Sequence, residues 1–116
     1  MIEVYHNPRC GKSRNCLAFL ENSNQEYKII KYLEDVPTQE ELTSLLKKLD
    51  LKPIELVRQK EKIWIDNFKN QEMSDEAIIQ AMITHPTLIE RPIIIKENKA
   101  IIAREADKIE AFFEAQ

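Results

Sequence analysis

The chain has 116 residues, 43% of them hydrophobic and 32% charged, with 17 Lys+Arg against 20 Asp+Glu for a net charge of −3. That is one domain's length, with enough apolar residues for a core and too little positive charge for a protein that neutralises many phosphates, so no nucleic-acid partner is expected. Two cysteines, two histidines and one glycine exclude a thiol zinc site, a disulfide framework, a glycine-rich phosphate loop and a dinucleotide fingerprint.

The N-terminal MIEVYHNPRC has no apolar signal core, and no apolar run reaches the length of a membrane span. A cytoplasmic protein without a membrane partner is expected. Ile2-Glu3-Val4-Tyr5-His6 alternates and reads as a strand that stops at the turn signal Asn7-Pro8. Lys12 to about Asn22 reads as a helix with Cys16, Phe19 and Leu20 on one face, broken by Ser23-Asn24. Tyr27–Tyr32 reads as a second strand. Strand, helix and strand within about 32 residues is the length of a βαβ unit.

The next segment is helical. Thr38 and Glu41 form a capping box ahead of the stripe Leu42, Leu45, Leu46 and Leu49. Pro53 suits the first turn of a second helix running through Leu56, Val57, Ile63 and Trp64. Ser74 caps a third, with Ile78, Ala81 and Met82 inward, ending before Pro86. Pro92–Ile95 and Ala100–Ala103 then read as short strands joined by the hairpin turn Lys96-Glu97-Asn98-Lys99. A last helix packs Ile109, Phe112 and Phe113 inward. The order β-α-β, three helices, β-β-α is an α/β, thioredoxin-like plan: a four-stranded mixed sheet with a helical insertion at about 37–86, within a single domain over residues 1–116. A helical bundle with an attached hairpin is the weaker architecture, because YKIIKY and PIIIKENKAIIA are β-branched at sheet density.

Chemistry concentrates in His6-Asn7-Pro8-Arg9-Cys10-Gly11-Lys12-Ser13-Arg14-Asn15. Cys10 lies between the first strand and the first helix, where unpaired N–H groups and the helix dipole favour thiolate over thiol. A free cysteine near pKa 8.5 is about 3% thiolate at pH 7, and one near 6 is roughly 90%. That shift needs about 3.4 kcal/mol. A helix terminus supplies about 0.3–2 kcal/mol, and the cations Arg9, Lys12, Arg14 and His6 are available for the rest. Gly11 removes a side chain where an anion would approach the backbone. An inert buried thiol is the competing reading of Cys10, disfavoured by its basic neighbours. For Cys16, on the apolar stripe, a core thiol is the better reading.

There are five arginines against twelve lysines. Arg9 and Arg14 flank Cys10, and Arg58, Arg91 and Arg104 each sit beside an apolar segment. A guanidinium binds tetrahedral oxyanions through a planar fork, as an ammonium cannot. Each arginine taken singly reads equally well as a surface salt bridge, and spacing does not show that three converge on Cys10.

HNPRCGKSRN near the N-terminus, ELVRQKE at 55–61, ERPIII at 90–95 and IIAR at 101–104 together resemble the ArsC family of arsenate reductases, in particular its short single-domain bacterial members. The resemblance spans nearly the whole chain, in order. It implies a thioredoxin-like fold, Cys10 as nucleophile, and Arg58, Arg91 and Arg104 as the residues that bind and activate arsenate. It implies that Pro92 is the cis-proline of that fold, and that His6, Ser13 and Arg14, with Gly11, support the thiolate. Glutathione is implied as co-substrate and glutaredoxin as partner, with no bound cofactor and no metal.

Two residues depart from the family pattern. Lys12 stands where a small hydroxyl residue is usual, and Cys16 is an additional thiol. The related Spx-type regulators share the fold, and several carry a C-x-x-C redox switch. This chain has Cys10-Gly11-Lys12-Ser13 instead, without the second thiol. The leading expectation is arsenate reduction. The alternatives are an Spx-like redox-sensing or RNA-polymerase-binding adaptor and a general thiol transferase. A monomer is expected, since no element shows an unpaired apolar face.

Overall fold

The computed structural model describes residues 2–23 and 26–114. Two compact units emerge, one from residues 1–35 with 91–116 and the other from residues 36–90. The second is the helical insertion, slightly wider than its expected 37–86.

In the first unit, β1 (Ile2–Tyr5) leads to α1 (Gly11–Asn22) and β2 (Tyr27–Ile30). After the insertion come β3 (Ile93–Lys96), β4 (Lys99–Ile102) and the closing helix (Ala106–Glu114). The sheet order is β2-β1-β3-β4. β1 runs parallel to β2 and antiparallel to β3, which pairs antiparallel with β4. This is the mixed, thioredoxin-like β-α-β … β-β-α sheet, and it excludes the bundle alternative.

The two central strands carry the most apolar sequence. Ile93, Ile94 and Ile95 are all buried, as a strand covered on both faces requires. Val4 pairs with Ile94, and Ile94 with Ile101. On that side Cys16 and Leu20 of α1 meet Ile2, Ile109 and Phe112 in one core. Phe19 stacks on Phe113 with ring centres 6.2 Å apart.

Some boundaries move. β2 ends at Ile30 rather than Tyr32, because Lys31 starts a turn whose carbonyl accepts the Glu34 and Asp35 N–H groups. Tyr32 is instead fully buried and stacks on Tyr5, with ring centres 5.9 Å apart. At the end of α1, Ser23 donates its hydroxyl to the Leu20 carbonyl at 2.9 Å. Asn24, the other half of the expected break, lies outside the described residues. In the hairpin turn Glu97 takes φ 57°, the left-handed region usually reserved for Gly or Asn.

The second unit holds α2 (Gln39–Leu49), α3 (Pro53–Leu56), α4 (Lys62–Asn67) and α5 (Asp75–Thr84), followed by a 3-10 turn at Pro86–Leu88. The capping box is formed: Glu41 N–H donates to the Thr38 hydroxyl and Thr38 N–H to the Glu41 carboxylate, each at 3.1 Å. Leu42, Leu45 and Leu46 are buried, while Leu49 is only half-buried. Asp50 ends α2 in the left-handed region, φ 56°.

The expected helix from Pro53 through Trp64 is two helices. Val57 is extended and bridges Ile89, Arg58 N–H donates to the Leu88 carbonyl at 2.7 Å, and Glu90 N–H donates to the Leu56 carbonyl at 2.9 Å. This long-range pairing competes with the helical bonds that residues 57–61 would otherwise make. Ser74 caps α5 through the Ala77 N–H at 3.1 Å, with Ile78, Ala81 and Met82 buried. No helix among the described residues is long and apolar enough to cross a membrane.

With the helices now placed, the closing helix (Ala106–Glu114) is α6. Its Ile109 and Phe112 are buried and its Phe113 half-buried.

Candidate active site

The Cys10 loop follows from its sequence. Asn7 and Pro8 take the first two positions of a turn that the Asn7 carbonyl closes by accepting the Cys10 N–H at 3.0 Å. The Asn7 side-chain oxygen accepts the Arg9 N–H at 3.0 Å, the local bond that asparagine favours in turns. Cys10 is the N-cap of α1, extended at φ −94° and ψ 123°, and its carbonyl accepts the Arg14 N–H at 3.1 Å. Ser13, fully buried in the first turn, accepts the Asn7 N–H on its hydroxyl at 3.3 Å. Arg14 donates from Nη1 to the Pro8 carbonyl at 3.1 Å. These bonds fix the loop on both sides of the cysteine.

Cys10 is a free, half-buried thiol. Burial alone would raise its pKa. The backbone N–H groups of Ser13 and Lys12, the Arg91 guanidinium and the Ser13 hydroxyl outweigh that, and the net shift is downward. The neutral thiol makes no full capping hydrogen bond, so the helix N–H groups act mainly on the charged form. The cations counted from sequence contribute differently than expected. Arg14 braces the loop, and His6 is buried with its pKa lowered by burial, Lys31 and Arg14, so it is neutral near pH 7. Its Nδ1 is buried without a hydrogen-bond partner.

Gly11 is not required by the fold. A Cβ there would meet nothing closer than Arg14 Nη2 at 3.8 Å, and its φ is not positive. The room it leaves is on the outer side, at the helix N-terminus.

Arg91 is half-buried, with Nε and Nη1 shielded from solvent, and the Arg91–Pro92 peptide bond is cis. Ala103 N–H donates to the Pro92 carbonyl at 2.7 Å. The β3–β4 register pairs Ile93 with Ile102, so its continuation sets Arg104 across from Arg91. Arg104 is exposed just beyond β4. Arg58 belongs to the second unit. Its Nη1 lies 2.6 Å from Glu61 and 3.3 Å from the Thr87 carbonyl, and its Nε lies 3.9 Å from Glu90. Cys16 is buried in the first unit's core, and burial pushes its thiol up to about 11. Among the described residues no cluster of His, Cys, Asp and Glu could hold a metal ion.

Sequence reasoning overlooked Lys31, which acts on His6 from 25 residues away and has no local signature. Asn7, read from sequence only as part of the turn signal Asn7-Pro8, also holds the Arg9 N–H through its side chain.

The profile of the ArsC family matches residues 5–112, from the end of β1 to the last buried ring of α6. The chain belongs to the ArsC family. Among ArsC relatives, the uncharacterised Escherichia coli (strain K12) protein YfgD is 40% identical over 110 residues, covering 93% of this chain and 92% of that one. An arsenate reductase of Neisseria meningitidis serogroup A is 35% identical over 112 residues, covering 95% and 96%. The solved arsenate reductase from Vibrio cholerae superposes with a TM-score of 0.89 at 39% identity, covering 95% of each chain. Of the four ArsC-like segments, HNPRCGKSRN and IIAR lie in the first unit and ELVRQKE in the second. ERPIII begins with the last residue of the second unit, Glu90, and continues in the first.

Proposed function

We propose that this ArsC protein is an arsenate reductase whose nucleophile is Cys10. The observation that carries the reading is the pairing of a thiol lowered by the first-turn N–H groups of α1 with the Arg91 guanidinium acting on the same sulfur. Arsenate is a tetrahedral oxyanion, and Arg91 and Arg104 offer it two guanidinium forks at the end of the β3–β4 ladder. The Cys10 sulfur attacks arsenic, an arsenate oxygen leaves as water, and a Cys10–S–As(V) adduct forms. The arginines stabilise charge that grows on the remaining oxygens.

Reduction needs a second thiol, and glutathione is the proposed one. Its sulfur attacks Sγ of Cys10, so a sulfur–sulfur bond forms and the sulfur–arsenic bond breaks with its pair moving to arsenic. Arsenic goes from As(V) to As(III), the thiol proton ends on an arsenite oxygen, and two sulfurs are oxidised to a mixed disulfide. Glutaredoxin then takes the glutathionyl group and returns Cys10 as a thiol. The proposal places this cycle in the cytoplasm, where thiols are kept reduced. The role expected of Arg58 is tested separately by Arg58→Lys.

The deciding assay follows arsenite release by purified protein supplied with arsenate, glutathione and glutaredoxin. Turnover that disappears with Cys10→Ser supports the reading. No turnover by wild type, under conditions where the N. meningitidis relative works, overturns it.

A further inference from the structure

Beside the Cys10 loop the first unit holds a cleft of about 310 Å³, walled by residues 6–9 on one side and by Lys31, Leu33 and Glu34 on the other. That is the low end of small-molecule sites, about 300–1,000 Å³. We propose that this cleft binds the carboxylate-bearing end of the low-molecular-weight thiol that resolves the Cys10–arsenic adduct, a γ-glutamyl thiol of the glutathione class. The inference rests on the arsenate reductase reading above and assigns its second substrate a place.

Charge pattern carries the argument. Glutathione has two carboxylates and one ammonium. The cleft offers Arg9 and Lys31 as exposed cations and Glu34 as an exposed anion, and neither cation is held in an ion pair among the described residues. Pro8 and Leu33 add apolar surface for the peptide backbone to lie on.

A second observation is independent of the surface charges. His6 lines the cleft, is 6% exposed, and keeps Nδ1 buried with no protein partner. Buried polar atoms are nearly always paired, so the imidazole beneath this wall keeps a hydrogen-bonding capacity that no protein group uses. Burial and the neighbouring Lys31 and Arg14 keep His6 neutral, leaving the cleft's positive charge to Lys31 and Arg9.

Position completes the case. Residues 6–9 of the wall run directly into Cys10, so a ligand anchored on Arg9 is held by the residue just before the nucleophile. From that anchor its sulfur attacks Sγ of Cys10: the sulfur–sulfur bond forms, the sulfur–arsenic pair passes to arsenic, and the thiol proton goes to an arsenite oxygen.

The test uses S-methylglutathione, which binds but cannot react. Titrated into the ¹⁵N-labelled full chain, it should shift amide signals of residues 6–10 and 31–34. Lys31→Gln should weaken the affinity about threefold to fivefold, as for one exposed ion pair, and Lys31→Glu should weaken it further. In turnover, the glutathione KM of Lys31→Glu should rise relative to the KM for 2-mercaptoethanol measured in the same variant. Shifts confined to other surfaces, or an affinity unchanged in Lys31→Glu with its spectrum still dispersed, would overturn the assignment. Arsenate turnover with glutathione but no binding here removes the cleft and leaves the arsenate reading standing. Binding here without arsenate turnover removes that reading and leaves the cleft as a thiol-peptide site.

Discussion

Ala103 N–H meets the Pro92 carbonyl at 2.7 Å, so the pairing of β3 and β4 continues past its last ladder residues toward Arg91 and Arg104. Two arginines thirteen positions apart in sequence are thereby held at one end of the sheet. The register admits no gradual sliding, so the hairpin fixes the backbone positions from which the two side chains start.

Arg91→Lys should lower arsenate turnover by about 100-fold, the usual loss when one preorganised donor to a developing oxyanion is removed. An ammonium keeps the charge but not the fork. Because the ammonium keeps the charge, the Cys10 pKa should stay lowered in Arg91→Lys and rise in Arg91→Met, since the charge at this position is among the causes that lower it. Steady-state kinetics with an arsenate series, together with thiolate absorbance against pH, measures both effects. Unchanged kinetics would remove Arg91 from the site.

Cys10→Ser should abolish reduction and leave the melting temperature within a few degrees of wild type. The residue is only half-buried, and its backbone bonds to Asn7 and Arg14 survive the substitution. A serine hydroxyl provides almost no anion at neutral pH. Residual activity above a few per cent would mean that another group attacks.

Ser13→Ala should move the rising limb of the rate–pH profile to higher pH. Its hydroxyl and N–H both lower the Cys10 pKa, and only the hydroxyl is lost. The folded pKa of Cys10 is depressed, so the thiolate's contribution to stability is present above the unfolded cysteine pKa and fades as pH falls through the folded one. Ser13→Ala should shrink that contribution. It also leaves the Asn7 N–H without its acceptor, at a cost of about 1–3 kcal/mol. A profile superimposable on wild type would exclude the hydroxyl from thiolate support.

Cys16→Ser should keep near-normal turnover, because its thiol is buried in the core and pushed up to about 11. Mass spectrometry of oxidised wild type should find a Cys10–glutathione adduct rather than a Cys10–Cys16 bridge. Here the folded pKa is raised, so the stability contribution is intact below the unfolded value and is lost as pH climbs toward about 11. Wild type should therefore lose melting temperature faster than Cys16→Ser over that alkaline range. A predominant intramolecular bridge would overturn the assignment.

Thr38→Ala should cost about 1 kcal/mol, the typical value of an N-cap side chain. Both halves of the box are made, so Glu41→Ala should cost a comparable amount. Chemical denaturation reads both, and a change below a few tenths of a kcal/mol would show that the cap is idle.

What could be read from sequence follows the range of the interactions involved. The thioredoxin-like order, the capping box, the Ser74 cap and the hairpin rest on neighbours within a few residues. The division between α3 and α4 does not. Val57 and Arg58 leave the helix to pair with Ile89 and Leu88, about thirty positions away, and nothing in ELVRQKE announces it. At the site, Cys10 and Ser13 were legible because a helix start imposes their chemistry locally. The electrostatic supports were less so. Proximity in sequence favoured Arg14 and His6, whereas the charge that lowers the Cys10 pKa comes from Arg91, carried in by strand pairing.

The depth of Cys16 has a consequence for the fate of the product. Trivalent arsenic is a soft ion that binds sulfur avidly, and two nearby thiolates would hold it as a chelate. Cys16 is sealed among Ile2, Leu20 and Phe112 and remains protonated at any physiological pH. Of the two thiols in the chain, only Cys10 can touch arsenite, and in the proposed cycle it is tied up in a mixed disulfide when arsenite forms. An enzyme built this way escapes poisoning by what it makes.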